Sequence, residues 1–112
     1  MKTKAYLSVI IVLSLLSALF SCKKNKDEKD TTPPAITIKG EISLLVEPNT
    51  TYIDSGATAY DETDGDITSK IVVTNNVNTS VIGFYTVKYN VSDNAGNAAT
   101  EAIRNLEVKY MK

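Results

Sequence analysis

The stretch from Gly83 to Asn97, reading GFYTVKYNVSDNAGN, constrains the fold of this chain more than any other. Tyr85, Val87, Tyr89 and Val91 alternate with Phe84, Thr86, Lys88 and Asn90. A period of two puts the first set on one face of a strand and the second on the other, so the pattern predicts a central strand with one buried side. Ser92-Asp93-Asn94-Ala95-Gly96-Asn97 follows directly. These side chains form Asx turns or tolerate positive φ, and the chain is expected to reverse there into a last strand.

The remaining strands are shorter. Ala35-Ile36-Thr37-Ile38 after Pro33-Pro34 reads as a first strand at a sheet edge, where proline is tolerated. Ile42 to Val46, Tyr52 to Asp61 with a bulge at Gly56, Ile71 to Thr74 and a short Val77 to Ser80 follow, with a final strand from Ala98 to Tyr110. In that last strand Leu106, Val108 and Tyr110 share one phase while Ile103 falls on the other, which a bulge near Arg104 would reconcile. About seven short strands punctuated by turns, with no helical period after residue 22, predict an all-β, antiparallel two-sheet sandwich.

The entry to the central strand resembles a known device. In immunoglobulin-type sandwiches a Tyr two residues before an inward position packs its ring inside and bonds upstream backbone through its hydroxyl. Tyr85 and Val87 have that spacing, just after Gly83. On this reading Tyr85→Phe loses about 1 to 3 kcal/mol by leaving a buried acceptor unpaired.

Composition narrows the function. The chain has 112 residues, no His, no Trp, one Cys and a formal net charge of -1, which bounds it to one small domain. Without an imidazole base, catalysis is poorly provisioned and no enzymatic role is expected. After Ala35 there are six Lys/Arg against ten Asp/Glu, so no nucleic-acid partner is expected either.

The first residues read as an address. A basic head, Met1-Lys2-Thr3-Lys4, precedes an apolar run from Ala5 to Ala18, the form of a secretory signal peptide and too short for a membrane span. It ends at Leu19-Phe20-Ser21-Cys22, which resembles a bacterial lipoprotein signal. That resemblance implies cleavage before Cys22, a diacylglycerol on its sulfur and an acyl chain such as palmitate on the new amino terminus. Two or more chains make a stable anchor, and the domain then has no thiol left for a disulfide.

The expected organisation is a signal peptide over 1–21, a lipidated, charged and Pro-containing linker over 22–34, and the domain over 35–112. Lys23-Lys24-Asn25-Lys26-Asp27-Glu28-Lys29-Asp30 carries seven charges in eight residues and no apolar side chain, so it reads as a solvated tether. Lys26-Asp27-Glu28 resembles the surface-export signal of Bacteroidetes-type lipoproteins, which implies an outer-membrane, cell-surface location. Asp30-Thr31-Thr32 resembles the short O-glycosylation motif of such bacteria, which implies a sugar on Thr31.

Pro33 to Ile38, Tyr52 to Asp61, Asp64-Gly65-Asp66-Ile67-Thr68, Gly83 to Val87 and Asp93 to Asn97, in that order, resemble the bacterial Ig-like domain repeated in an insecticidal crystal protein and in many bacterial surface proteins. The resemblance covers about Pro33 to Val108. It implies an immunoglobulin-like sandwich of about seven strands, used as a spacer or adhesive module with no enzymatic activity.

Asp61-Glu62-Thr63-Asp64-Gly65-Asp66 places four carboxylates in six residues, with Asp54, Asp93, Asn94 and Asn97 expected nearby. Hard oxygens suit a structural Ca²⁺, yet Asp-Gly-Asp is also ordinary turn chemistry, and no metal ligand or catalytic residue is assigned on spacing alone. The functional expectation is adhesion or ligand binding, with a protein or glycan as the ligand. The alternative is a structural accessory subunit docking on a larger envelope complex such as a glycan-uptake system. Phe84 and Tyr60 are the candidate exposed aromatics for sugar capture.

Overall fold

The computed structural model describes residues 28–112. The expected signal peptide, Cys22 and most of the Lys26-Asp27-Glu28 motif lie outside the described residues. The chain divides into two units, of which Thr31–Lys112 is the one described below.

Among the described residues, seven strands form two sheets. β1 (Ala35–Ile38), β3 (Ala57–Asp61) and β4 (Gly65–Asp66) make a three-stranded sheet in the order β1-β3-β4. β2 (Ser43–Val46), β7 (Ala102–Val108), β6 (Gly83–Asn90) and β5 (Val72–Asn75) make a four-stranded sheet in the order β2-β7-β6-β5. The sandwich expected from the strand count is therefore present, with β1 at a sheet edge and β6 in an interior position. One pairing departs from the antiparallel expectation, since β2 runs parallel to β7 with Leu44 opposite Leu106 and Val46 opposite Val108.

The alternation in β6 governs the core. Val87, Tyr89 and, just past the strand, Val91 are buried, whereas Phe84 and Asn90 face solvent. Val87, Tyr89 and Leu106 pack against Ile36 and Ile38 of one sheet and Leu44 and Val46 of the other, which joins the two layers. A second cluster of Ala59, Ile67, Val91 and Ala99 fills the end of the sandwich reached by the exit of β6. Full burial of a Val, Leu or Tyr-sized side chain contributes about 1.5 to 3 kcal/mol, so a core this small leaves a domain of modest stability.

Three local expectations are corrected. Tyr52 to Gly56 is not strand, because the Asp54 carboxylate takes the Gly56 amide at 2.9 Å and turns the chain before β3 begins at Ala57. Val77 to Ser80 is likewise a turn, held by Asn78, whose Oδ1 accepts from the Ser80 amide and whose carbonyl accepts from the Val81 amide. Nor is there a bulge at Arg104. The β6 to β7 register runs unbroken from Gly83 opposite Val108 to Tyr89 opposite Ala102, so Ile103 points outward and Arg104 points into the core.

Candidate functional site

The strands hold three groups of polar or aromatic side chains. The first is internal. Arg104 is 1% exposed, and its guanidinium is met on every side. Nε donates to Asp54 Oδ1 at 2.9 Å, Nη2 donates to the carbonyls of Lys39 at 2.8 Å and Gly56 at 3.1 Å, and Nη1 donates to the carbonyl of Glu41. The Asp54 carboxylate also accepts from the hydroxyls of Tyr52, at 2.5 Å, and Tyr89.

Charge compensation governs this cluster. Burial alone would raise the Asp54 carboxyl, but the two tyrosine hydroxyls, the Gly56 amide and the Arg104 charge outweigh it and hold the pKa below its ordinary value. The Tyr52 and Tyr89 hydroxyls are pushed up, first by burial and then by the carboxylate they serve. The cluster clamps the segments around Lys39, Glu41 and Gly56 to β7. Local pattern concealed it, because an arginine one place from Ile103 reads as an outward residue.

The second group lies at the end of the sandwich where β6 exits. Asp61 closes β3 and its Oδ2 accepts from the amides of Thr63 at 3.0 Å and Asp64 at 2.9 Å, an Asx turn that shapes the hairpin into β4. Gly65 completes that hairpin at φ 81°, a conformation that strains any residue with a Cβ. Asp93 Oδ1 accepts from the Asn97 amide at 2.8 Å, and its Oδ2 from Asn97 Nδ2 at 2.9 Å, which closes the loop bridged by Ser92 and Ala98. Asp64 Oδ2 accepts from the Asn94 amide at 2.8 Å and joins the two loops.

The structure thus brings Asp61, Asp64, Asp93, Asn94 and Asn97 together as expected, and sends Asp54 elsewhere, to Arg104. Asp66 is exposed and accepts from the Thr68 amide, and hydrogen bonding from the Thr68 side chain and then its amide holds the carboxyl below the ordinary value. Thr31 is exposed.

The third group is the outer face of the four-stranded sheet. Register places Leu45 of β2, Glu107 of β7 and Phe84 of β6 in one cross-strand row, with Ser43, Asn105 and Thr86 in the next. Phe84 is 81% exposed, and it lines a shallow groove with Leu45, Asn105 and Glu107. Glu107 lies 3.8 Å from the Lys109 ammonium and is partly exposed. Tyr60, the other expected aromatic, is 61% exposed on the three-stranded sheet, beside Thr37, Thr58 and Asp66.

Two sheets packed through a tyrosine-anchored central strand define an immunoglobulin-like module. Residues 36–108 match the family model for the Ig-like domain of bacterial surface proteins, and the chain belongs to that family. Among relatives, it is 48% identical over 54 residues to the pesticidal crystal protein Cry22Aa of Bacillus thuringiensis, a match spanning 47% of this chain and 8% of that protein. Among solved structures, the lipoprotein BT2262 from Bacteroides thetaiotaomicron superposes with a TM-score of 0.60 at 19% identity, over 70% of this chain and 39% of the other. A Clostridium perfringens ZmpB structure, of CBM51-2 in complex with GlcNAc together with INT domains, aligns with a TM-score of 0.53 at 33% identity. That alignment covers 70% of this chain and 17% of the ZmpB chain. This chain thus corresponds to a minor part of each of these proteins.

Proposed function

We propose that this chain is a non-catalytic binding module, lipid-anchored through Cys22 to the bacterial outer membrane and displayed on the cell surface, that captures glycan on the outer face of its four-stranded sheet. The observation that carries the glycan reading is the Leu45, Glu107 and Phe84 row, in which an almost fully exposed phenyl ring stands beside a carboxylate on a rigid sheet. An exposed aromatic of this kind has an apolar face on which the C–H face of a sugar can stack. Glu107 and Asn105 supply the few polar groups that orient a ligand through its hydroxyls. The site sits on strands and therefore binds without reorganising.

The address rests on Leu19-Phe20-Ser21-Cys22 and on Lys26-Asp27-Glu28 behind it. The ZmpB neighbour solved with GlcNAc adds support for a glycan-handling setting.

The test is a glycan array probed with the full chain in detergent, followed by calorimetry on the strongest hit. Phe84→Ala is expected to abolish binding while leaving the melting temperature unchanged, and Tyr60→Ala to leave binding intact. No hit on the array, or equal binding by Phe84→Ala, overturns the glycan reading. A protein crosslinked on intact cells through Leu45 and Phe84 would then favour the accessory subunit of a larger envelope complex.

A further inference from the structure

The loop end of the sandwich carries a feature that turn formation does not explain. Asp61 is 0% exposed, and only one of its two carboxylate oxygens is used by the turn. Its Oδ1 is buried and has no hydrogen-bond partner among the described residues. Asp93 is 6% exposed, and a carboxylate oxygen of each residue lies within 4.8 Å of the other's.

Burying an ionised oxygen without a partner is costly, and a second carboxylate at that distance adds repulsion. An aspartate needed only for the Asx turn could keep its second oxygen in water, as Asp66 does in the neighbouring turn. A cation between Asp61 and Asp93 removes both penalties. The available donors are hard oxygens, with no His in the chain to favour a transition metal. The ligands stand on two separate loops of irregular shape, which suits the flexible coordination of Ca²⁺ better than the strict octahedron of Mg²⁺.

We propose that Asp61 and Asp93 bind one Ca²⁺, with backbone carbonyls and water completing its shell, and that the ion fastens the β3 to β4 hairpin to the loop between Ser92 and Ala98. The site is independent of the Phe84 groove, which lies on a sheet face. Its role is to rigidify the loop end of the domain under extracellular calcium.

The experiment is a calorimetric titration of the chelator-treated full chain, in detergent, with CaCl₂ and separately with MgCl₂, paired with thermal melts. One Ca²⁺ per chain is expected, with a dissociation constant of about 0.1 to 1 mM and weaker binding of Mg²⁺. At calcium ten times the dissociation constant the folded-to-unfolded ratio rises about elevenfold, and the melting temperature rises with it. Asp61→Asn and Asp93→Asn each abolish the heat and the shift, whereas Asp66→Asn retains both. Absence of heat and of any shift for the unmodified chain up to about 10 mM calcium overturns the proposal. Unchanged calcium binding by Asp61→Asn overturns it equally. Should either variant fail to fold, the titration of the unmodified chain decides alone.

Discussion

The hydroxyl of Tyr85 donates to the carbonyl oxygen of Val81 across 2.7 Å, so the start of β6 is tied to the segment that leads into it. This is the corner expected from the Gly83-Phe84-Tyr85 entry, with one difference. Val81 is exposed, so water can replace the hydroxyl as its partner. Tyr85→Phe is therefore expected to cost about 0.5 to 1.5 kcal/mol, below the range for a buried acceptor. Urea midpoints of the two forms measure it, and coincident midpoints would show that the corner contributes nothing.

Arg104 sets the largest single-residue effect. Arg104→Ala removes the counter-charge of the Asp54 carboxylate and takes the guanidinium donors from the carbonyls of Lys39 and Glu41. Loss of one partner from a buried pair costs about 3 to 5 kcal/mol, a large part of the stability of a domain this size. Chemical denaturation of Arg104→Ala should show a steep loss of midpoint, or no folded baseline at all. Arg104→Lys should rescue only partly, because a single ammonium cannot reproduce the guanidinium fork.

The same cluster fixes the acid limb of stability. The folded Asp54 carboxyl titrates below its ordinary value of about 4, so the unfolded chain binds the proton first. The stabilisation is fully present above pH 4 or so and is lost as pH falls through the folded pKa. Asp54→Asn should flatten the fall in melting temperature below about pH 4 relative to the unmodified chain. Identical acid limbs would show that Asp54 is not the group responsible.

The alkaline limb runs the opposite way. Tyr52 and Tyr89 keep their protons in the fold at pH values where the unfolded chain has lost them. Stability should therefore decline as pH rises past about 10. Tyr52→Phe should shallow that decline, which denaturation between pH 9 and 11 can read.

The proposed anchor is tested by labelling cells with palmitate. Label should enter the chain, and Cys22→Ser should lose it and move the protein out of the membrane fraction. Thr31→Ala should lower the mass of the mature protein by one glycan while leaving labelling intact.

Local chemistry made one part of this protein legible in the sequence. The alternation from Phe84 to Val91, the Asx turns at Asp61 and Asp93, the edge placement of β1 and the corner at Tyr85 all depend on residues within a few positions of one another. Period, turn propensity and spacing report such contacts directly. What only the tertiary structure decided joins residues far apart in the chain. Arg104 reaches Asp54 and Lys39 across 50 and 65 positions, β2 lies parallel to β7, and Asp61 and Asp93 meet because two loops share one end of the sandwich. A buried arginine breaks the apolar alternation just as an outward one does, and its partners are mainly backbone carbonyls, which carry no residue signature. Only the packing of the two sheets shows that its charge is met, and that one oxygen of Asp61 has no partner among the described residues.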